Sequence, residues 1–475
     1  MAYYILTYSI QLARFSMDKF FSPRSIVVVG ASNGPFNLGS TISKFLEYLH
    51  YTGESYVVNS KGEDVQGARG FGSVLDLPYA VDLAVILTPA RAVPGIVRDC
   101  GIKGIRNVVI ETAEFSETGE EGRRLQADIS RFADEYGIRF LGPNCLGTLN
   151  AHERFCCFFG FVPGMYDEVF DRPGSLSYVI QSGGVGVLIM DSLRRDVNNV
   201  NKMVSIGNKE DLDESDMIEY FNGDSTEVIG LYLENIKNGR KLIEIAKKVE
   251  KPILLYKVGR TAEGSRAAMS HTAGMANNDV ILDHACRQAG IVRLKAISEL
   301  HALPKIFTHM PLIRGNRVAV FTNSGAFGGI TADIVVESGM QMATLSEATR
   351  ERIGKTGKLF NASNPIDLGP TLSKQVFIDI FEIILSSDEV DALLAVPNVW
   401  QQVVIDAIAE LGGICRKFDK PAAIYIPNAV ERIIAVRNDY QIPVFESPEE
   451  AVRALRVSYE HFLGLRKKER TPQLV

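Results

Sequence analysis

A single histidine in a segment of small residues is the first feature that could carry chemistry. Residues 259–276 are rich in Gly, Ala, Ser and Thr and contain His271. A neutral imidazole is well populated near pH 7 and can act as a nucleophile, and small neighbours would let a phosphoryl group approach it closely. The composition predicts a loop that presents His271, although a lone histidine is more often an ordinary hydrogen-bonded residue. Ser265 stands where a nucleoside-triphosphate P-loop requires lysine, so that motif is not expected.

Two similar turns follow apolar runs, and each would expose backbone N–H groups at the start of a helix. They share a Ser-Gly pair and consist of Ser182, Gly183 and Gly184 in one copy and Ser324, Gly325 and Ala326 in the other. Two such helix starts that converge on one point would bind a phosphoryl group through hydrogen bonds and helix dipoles, without a lysine. A single Ser-Gly turn could instead mark close packing of a strand on a helix. The occurrence of two copies in matching positions favours phosphate binding.

Glu234 ends another apolar run, Leu231-Tyr-Leu-Glu234, at the edge of the sheet where ligands are expected. A carboxylate there could bind one imidazole nitrogen, fix its tautomer and stabilise a phosphorylated ring. An ordinary solvated glutamate at the end of a strand fits the sequence equally well.

Near the N-terminus, a strand, a glycine-containing turn and a helix follow one another. The turn begins with Gly30, Ala31 and Ser32, and this arrangement can bind a diphosphate at the helix start. The spacing is not GxGxxG, which disfavours a nicotinamide cofactor and leaves other adenine-nucleotide diphosphates, including CoA. Thr88 and Pro89 close a later strand and should lie at the same sheet edge. A tight turn without a ligand remains an alternative for this segment.

The elements that must position these residues are short β-branched runs, each followed by a small-residue turn and an amphipathic segment. Apolar runs without alternation are typical of strands buried on both faces of a parallel sheet. The runs are Ser25-Ile-Val-Val-Val29, Leu83-Ala-Val-Ile-Leu87, Asn107-Val-Val-Ile110, Tyr178-Val-Ile180, Ile253-Leu-Leu-Tyr256, Val318-Ala-Val-Phe321, Ala392-Leu-Leu-Ala-Val396 and Ala422-Ala-Ile-Tyr-Ile426. The pattern predicts an α/β protein with three doubly wound parallel sheets. The expected divisions are an N-terminal extension (1–16) and three domains at 17–146, 147–310 and 311–475.

Length, charge and cysteine content exclude several classes of protein. A chain of 475 residues is too long to fold around one ordinary hydrophobic core, so two to three domains are expected. A net charge of −6 argues against a nucleic-acid-binding surface. The six cysteines show neither a disulfide framework nor the spacing of zinc ligands, so no metal site is expected and a reducing cytoplasm is the expected location. The apolar stretch at residues 3–12 is too short to cross a membrane.

An ordered set of motifs resembles the α subunit of ADP-forming acetyl-CoA synthetase, within the superfamily that includes succinyl-CoA synthetase. The resemblance covers nearly the whole chain from Met17 onward. The motifs that carry it are Phe20-Phe-Ser-Pro-Arg-Ser-Ile-Val-Val-Val-Gly-Ala-Ser32, Leu141-Gly-Pro-Asn-Cys-Leu-Gly147, Gln181-Ser-Gly-Gly184, Val204-Ser-Ile-Gly-Asn208, Ser265-Arg-Ala-Ala-Met-Ser-His-Thr272, Thr322-Asn-Ser-Gly325 and Asn364-Pro-Ile-Asp-Leu368.

The resemblance implies that phosphate attacks an acyl-CoA thioester, that His271 takes the phosphoryl group from the acyl phosphate, and that phosphohistidine then phosphorylates ADP. It makes Glu234 the carboxylate that supports His271. Asn59 joins Gly30, Ser32 and Pro89 in the turns of the CoA site. CoA is thus a substrate, bound by residues that include Ala31 and Thr88. No segment resembles an ATP-grasp domain, so ADP or ATP and Mg²⁺ should be bound mainly by a partner β subunit, in an α2β2 assembly.

One residue departs from the resemblance, and two other functions remain as alternatives. Glu114 stands where the family usually has glycine, and its negative side chain could crowd or repel the CoA phosphates. A non-catalytic acyl-CoA-sensing module is one alternative, although such modules typically lack the phosphorylated histidine. An NAD-dependent Rossmann enzyme is disfavoured by the missing glycines.

Overall fold

The computed structural model describes residues 16–470, apart from residues 195, 198, 273–277, 371–372, 400, 429 and 441. Strands and helices alternate in this part of the chain and form three mostly parallel sheets. The predicted α/β class with three doubly wound sheets is therefore confirmed. The predicted N-terminal extension lies outside the described residues except for Ser16.

The first sheet has six strands: β1 Ser25–Val29, β2 Glu54–Val58, β3 Arg69–Phe71, β4 Leu83–Ile86, β5 Asn107–Ile110 and β6 Arg139–Leu141. They are parallel and lie in the order β3-β2-β1-β4-β5-β6. Its helices are α1 Leu38–Tyr48, α2 Val93–Lys103 and α3 Glu120–Tyr136, with 3₁₀ turns at Met17–Phe20, Val74–Asp76, Ala90–Ala92 and Ser116–Thr118. The strand order reverses between β1 and β4, which is where such sheets bind ligands.

The second sheet has seven strands: β7 Gly147–Asn150, β8 Phe155–Cys156, β9 Leu176–Ile180, β10 Val200–Ser205, β11 Val228–Leu233, β12 Ile253–Lys257 and β13 Ile291–Arg293. Their order is β13-β12-β11-β9-β10-β7-β8. The five strands β9 to β13 are parallel, whereas β7 and β8 add antiparallel pairs at one edge. The helices are α4 Asp167–Asp171, α5 Gly183–Leu193, α6 Glu214–Asn222, α7 Gly239–Ala246, α8 Ala262–Thr272, α9 Asp279–Ala289, α10 Glu299–Ala302 and α11 Lys305–His309.

The third sheet repeats the parallel part of the second. Its strands are β14 Arg317–Thr322, β15 Gln341–Met342, β16 Ile366–Asp367, β17 Ala392–Val396, β18 Ala422–Tyr425 and β19 Val444–Phe445. The order is β15-β14-β17-β18-β19, and β16 pairs with β14. The helices are α12 Gly325–Glu337, α13 Glu347–Gly354, α14 Lys374–Ser386, α15 Gln402–Phe418, α16 Val430–Tyr440 and α17 Pro448–Arg470.

The central strands are buried along their whole length, as their apolar runs predict. All residues of β1, β9 and β17 are buried. Buried clusters extend across the sheets: Val28 of the first sheet shares one with Val204 of the second. Because the cores are shared, the predicted domain boundaries after residues 16, 146 and 310 stay predictions. Within the described part of the chain, no helix is both long and apolar enough to cross a membrane.

Candidate active site

The turn after β1 is closed by glycine and by the cap of the next helix. Gly30 has a φ of 104°, and a Cβ atom there would overlap the carbonyl oxygen of Leu87. The side chain of Asn37, the N-cap of α1, accepts hydrogen bonds from the N–H groups of Ser40 (2.8 Å) and Ser32 (3.1 Å). It also donates to the Gly30 carbonyl oxygen at 3.0 Å. Asn37 was not among the predicted site residues, although an asparagine directly before an amphipathic helix is typical of a helix cap.

Thr88 lies beside Gly30 at the point where the strand order reverses. The methyl carbon of Thr88 is 3.0 Å from the position that a Cβ atom on Gly30 would take. Its backbone N–H donates to the Thr112 hydroxyl (3.1 Å), which donates to the Thr88 carbonyl (2.8 Å). Pro89 is exposed and precedes a 3₁₀ turn. The structure therefore brings together Gly30, Ala31, Ser32, Thr88 and Pro89 at one sheet edge.

Asn59 follows β2 at the same edge, but its side chain closes its own turn. Its Oδ1 accepts hydrogen bonds from the N–H groups of Lys61 and Glu63, both at 3.1 Å. Its Nδ2 donates to the Glu63 carbonyl oxygen at 2.8 Å. Asn59 thus shapes the edge of the predicted CoA site, and direct contact with a ligand stays a prediction.

A small polar cavity of about 170 Å³ lies at the carboxyl edge of the second sheet. It is lined by Asn144, Gln181, Ser182, Gly183, Gly207, Asn208 and Glu234. The structure therefore brings Glu234 to the start of α5, as the parallel order of β9 and β11 requires. Ser182 is the N-cap of α5, and its side chain makes no capping hydrogen bond. The backbone N–H groups of this first turn suit an anion such as phosphate.

Three residues of the cavity come from turns to which the sequence analysis assigned no role. Asn144 belongs to the turn after β6 of the first sheet, and Gly207 and Asn208 follow β10. Asn208 ties the two sheets together, because its N–H donates to the Pro143 carbonyl oxygen (2.9 Å) and its Nδ2 to Glu117 (2.7 Å). All three stand in motifs that carry the family resemblance, and their meeting depends on the packing of two sheets.

Glu114 lies close to this junction and adopts a backbone conformation that favours glycine. Its φ is 75°, in the left-handed region, and its side chain is exposed. Its N–H donates to the Glu117 carboxylate at 2.8 Å, and the other oxygen of that carboxylate accepts from Asn208. The position where the resemblance predicts glycine thus has a left-handed backbone, which is strained for glutamate.

The segment that carries His271 is a helix where a loop was expected. Residues 262–272 form α8, and the Thr261 hydroxyl accepts a hydrogen bond from the Gly264 N–H at 3.0 Å. The loop prediction is wrong here because alanine, glutamate, arginine and methionine favour helix and outweigh the glycine, serine and threonine residues between them. The His271 side chain lies outside the part of the structure that is described.

The second Ser-Gly turn lies at the edge of the third sheet. Ser324 is the N-cap of α12, as predicted, and its N–H donates to the Thr322 hydroxyl at 3.0 Å. A Cβ atom on Gly325 would lie 2.9 Å from an oxygen of the Asp367 carboxylate, so a negative charge already stands near this helix start. Ser324, Gly325 and Ala326 are absent from the residues that line the cavity at Glu234. Their convergence with the first helix start stays a prediction.

No group of three or more His, Cys, Asp or Glu side chains among the described residues could hold a metal ion. The six cysteines are all buried and form no disulfide. Burial raises the pKa of the Cys157 thiol to about 12, and the nearby Glu111 carboxyl acts in the same direction. Among the described residues, the cavity offers the Glu234 carboxylate, the Ser182 hydroxyl, side-chain amides and the start of α5.

Two domain families match the sequence. The CoA binding domain family matches residues 24–151, and the succinyl-CoA ligase like flavodoxin domain family matches residues 173–307. Together with the three sheets, these matches define a CoA-binding protein of the succinyl-CoA ligase type.

Full-length relatives narrow this class. The subunit alpha of acetate–CoA ligase [ADP-forming] II of Pyrococcus furiosus is 35% identical over 456 residues, which cover 92% of this chain and 96% of that protein. The subunit alpha of acetate–CoA ligase [ADP-forming] I of the same organism is 32% identical over 462 residues. These residues cover 94% of this chain and 97% of that protein. The chain belongs to the family of ADP-forming acetate–CoA ligase alpha subunits.

A solved structure of similar length has the same fold. It is the dinucleotide forming acetyl-coenzyme A synthetase 1 of Ca. Korarchaeum cryptofilum, in complex with phosphate and ADP. The TM-score is 0.84 at 30% identity, and the match covers 96% of this chain and 98% of that chain.

Proposed function

We propose that this chain is the CoA-binding, phosphohistidine-bearing subunit of an acyl-CoA synthetase. With a partner it would convert acyl-CoA, ADP and phosphate reversibly to free acid, CoA and ATP. The observation that carries the proposal is the cavity where Ser182 and Gly183, at a helix start, meet Glu234. Membership of the family supports the same reaction, because its alpha subunits are named as ADP-forming acetate–CoA ligases.

The first step forms an acyl phosphate. CoA lies against the turns at Gly30 and Thr88, and a phosphate oxygen attacks the thioester carbonyl carbon. The carbon–sulfur bond breaks and CoA leaves as a thiolate, which takes up a proton. The N–H groups at the start of α5 hold and orient the phosphate, because positioning and charge stabilisation dominate this kind of chemistry.

The second step moves the phosphoryl group to His271. An imidazole nitrogen attacks phosphorus, the bond to the acyl oxygen breaks, and the carboxylate product leaves. Glu234 accepts a hydrogen bond from the other ring nitrogen and so stabilises the charge that develops on the imidazole. In the third step a β-phosphate oxygen of ADP attacks the phosphohistidine, which gives ATP and regenerates the free histidine.

The third step calls for a partner. We propose an ATP-grasp β subunit that binds ADP and Mg²⁺, in an α2β2 assembly. Ser324, Gly325 and Ala326 would form the second helix start that contacts the phosphoryl group during transfer. Acetyl-CoA or a related short-chain or aryl acyl-CoA is the proposed substrate.

Reconstitution tests this function. The chain is combined with an ATP-grasp β subunit from the same organism, and ATP formation is measured with a panel of acyl-CoA thioesters, with and without phosphate. We expect phosphate-dependent ATP formation with at least one thioester. The rate of ATP formation by the His271→Ala variant should be at least about 1,000-fold lower, because the covalent carrier is removed.

His284 offers a matched control, since it is an exposed histidine on α9, the helix that follows α8 and packs with the second sheet. The His284→Ala variant should keep the wild-type rate. Equal rates for His271→Ala and wild type would refute the assignment. Binding of acyl-CoA without any ATP formation by the assembled complex would favour the sensing module instead.

A further inference from the structure

The turn that presents Glu234 has all four backbone groups of two successive residues bound by side chains. On the donor side, the N–H groups of Glu234 and Asn235 donate to Oε1 of Gln181, at 2.9 and 3.2 Å. The Nε2 of Gln181 donates in turn to the Asn235 side chain at 3.1 Å. Gln181 is 5% exposed and directly follows β9, the strand beside β11.

Two buried lysines bind the other side of the same turn. Nζ of Lys257 donates to the Glu234 carbonyl oxygen, and Nζ of Lys209 donates to the Asn235 carbonyl oxygen, each at 2.7 Å. Lys257 is 4% exposed and ends β12, whereas Lys209 is 1% exposed and follows β10. The turn after β11 is thus held by residues from three other strand ends of the same sheet.

Burial of an ammonium group is unfavourable unless it is hydrogen-bonded and its charge is balanced. Lys209 is balanced by Glu214, whose carboxylate is 2.9 Å away and 2% exposed. Lys257 donates to two carbonyl oxygens, those of Glu234 and Val258. Its positive charge interacts with the carboxylates of Asp279 and Glu234, and Glu234 lines the adjacent cavity.

We propose that Gln181, Lys209 and Lys257 are positioning residues that fix the Glu234–Asn235 turn and hold positive charge behind the phosphate cavity. Their role is to aim the Glu234 carboxylate and to favour an anion beside it. This inference rests on the proposed function of Glu234. It adds three residues that bind the backbone of this turn, of which Gln181 also lines the cavity.

The charge of Lys257 gives the proposal a signature in its pH dependence. Burial lowers the pKa of Lys257 to about 8, and the other charged groups that act on it are Asp279, Arg293, Lys209 and Glu234. Lys257 is cationic below that pKa and becomes neutral above it. The rate of phosphohistidine formation should therefore fall as the pH rises through about 8.

The experiment measures single-turnover phosphorylation of the assembled enzyme, with acetyl-CoA and radiolabelled phosphate, from pH 6 to 9.5. We expect Lys257→Met to slow phosphorylation at least about tenfold at pH 7 and to abolish the alkaline fall. The Kd of CoA should stay within about twofold, because the CoA turns lie on another sheet. Lys257→Arg keeps the charge and the donors, so it should restore most of the rate and remove the fall near pH 8.

Lys251 provides a matched control near the opposite end of the same strand. It precedes the opposite end of β12 and donates to two backbone carbonyl oxygens, those of Phe221 and Asp224, each at 2.8 Å. Lys251→Met loses the same kind of contact far from the cavity, so its histidine should be phosphorylated at the wild-type rate.

If Lys257→Met does not fold, Gln181→Met replaces it and should also slow phosphorylation at least about tenfold.

The outcomes separate the two proposals. If the wild type forms phosphohistidine and Lys257→Met does so at the same rate and with the same pH profile, the positioning role is refuted while the proposed function stands. Equal slowing in Lys257→Met and Lys251→Met would also refute it, since general destabilisation would then explain the loss. If the wild type forms no phosphohistidine, the proposed function fails and the inference fails with it.

Discussion

Glu111 is a buried carboxyl group that lies outside the proposed reaction. It follows β5, is 3% exposed, and neither of its carboxyl oxygens has a hydrogen-bond partner among the described residues. Gly147 leaves room for it, because a Cβ atom there would lie 2.7 Å from Oε1 of Glu111. Burial raises the pKa of Glu111 well above its ordinary value, so the folded protein favours the neutral acid.

This burial predicts a pH dependence of stability. Above about pH 4.3, the ordinary pKa of glutamate, this carboxyl group has lost its proton in the unfolded chain but keeps it in the folded protein. Because the folded state then binds more protons, the free energy of unfolding falls as the pH rises. Glu111→Gln removes the ionisation and should raise the free energy of unfolding at pH 8 by about 1–3 kcal/mol. Urea denaturation at pH 5 and pH 8 measures the effect. A difference between variant and wild type that does not grow with pH would contradict it.

At Glu114, conformation and charge can be separated by two substitutions. Glu114→Gly relieves a left-handed φ of 75° and should raise the free energy of unfolding by about 1 kcal/mol. Glu114→Gln keeps the strained backbone and removes the charge, so its stability should match the wild type. If the carboxylate repels the CoA phosphates, both variants should bind CoA up to about fivefold more tightly, as calorimetric titration would detect. Weaker CoA binding by both variants would mean that Glu114 assists the ligand.

Among the individual residues, the sequence could suggest as site residues only those whose chemistry is visible in one segment, and their roles stay predictions. Ser182, Gly183 and Glu234 meet in the cavity because the β9 and β11 strand ends lie side by side. Lys209 and Lys257 carried no such signal, since a lysine is normally exposed and only the packed sheet buries these two. Their role depends on contacts between strand ends that are distant in sequence.

Among the elements, the β1–α1 turn gives the sharpest prediction. Gly30→Ala forces a Cβ atom against the Leu87 carbonyl oxygen in a left-handed conformation, and it should cost about 3 kcal/mol of stability and abolish CoA binding. Gly34→Ala, in the same turn, places its Cβ atom 3.5 Å from the nearest neighbouring atom. Its free energy of unfolding should therefore lie within about 0.5 kcal/mol of the wild-type value. Denaturation and CoA titration of the two variants measure the contrast. Equal stability of the two would show that the turn does not need glycine at position 30.

The strands were far easier to predict than the other elements. The bounds of β1, β5 and β17 match their apolar runs, because burial on both faces leaves a continuous hydrophobic segment. The antiparallel pair β7 and β8 was not predicted, since two short strands joined by four residues lack a clear hairpin signal. Helix α8 was taken for a loop because small residues weaken its amphipathic pattern.

At the scale of the whole molecule, the three sheets are joined by shared packing. The last helix, α17, packs on β18 of the third sheet and on β13 of the second. Its Lys468 donates, at 2.9 Å, to the carbonyl oxygen of Ala246 at the end of α7, which packs with the second sheet. Asn208 and Glu117 form a similar link between the first and second sheets. The cavity therefore stands at a fixed junction, which suits a site that must bring CoA bound on one sheet to phosphate bound on another.

The central claim is that His271 carries the phosphoryl group, and isolation of the phosphoenzyme tests it most directly. The assembled enzyme is incubated with acyl-CoA and radiolabelled phosphate, quenched in base, digested and mapped by mass spectrometry. We predict an acid-labile, base-stable label on His271 that appears only when acyl-CoA is present and disappears on addition of ADP. A label on any other residue, or an undiminished label in His271→Ala, would contradict the claim.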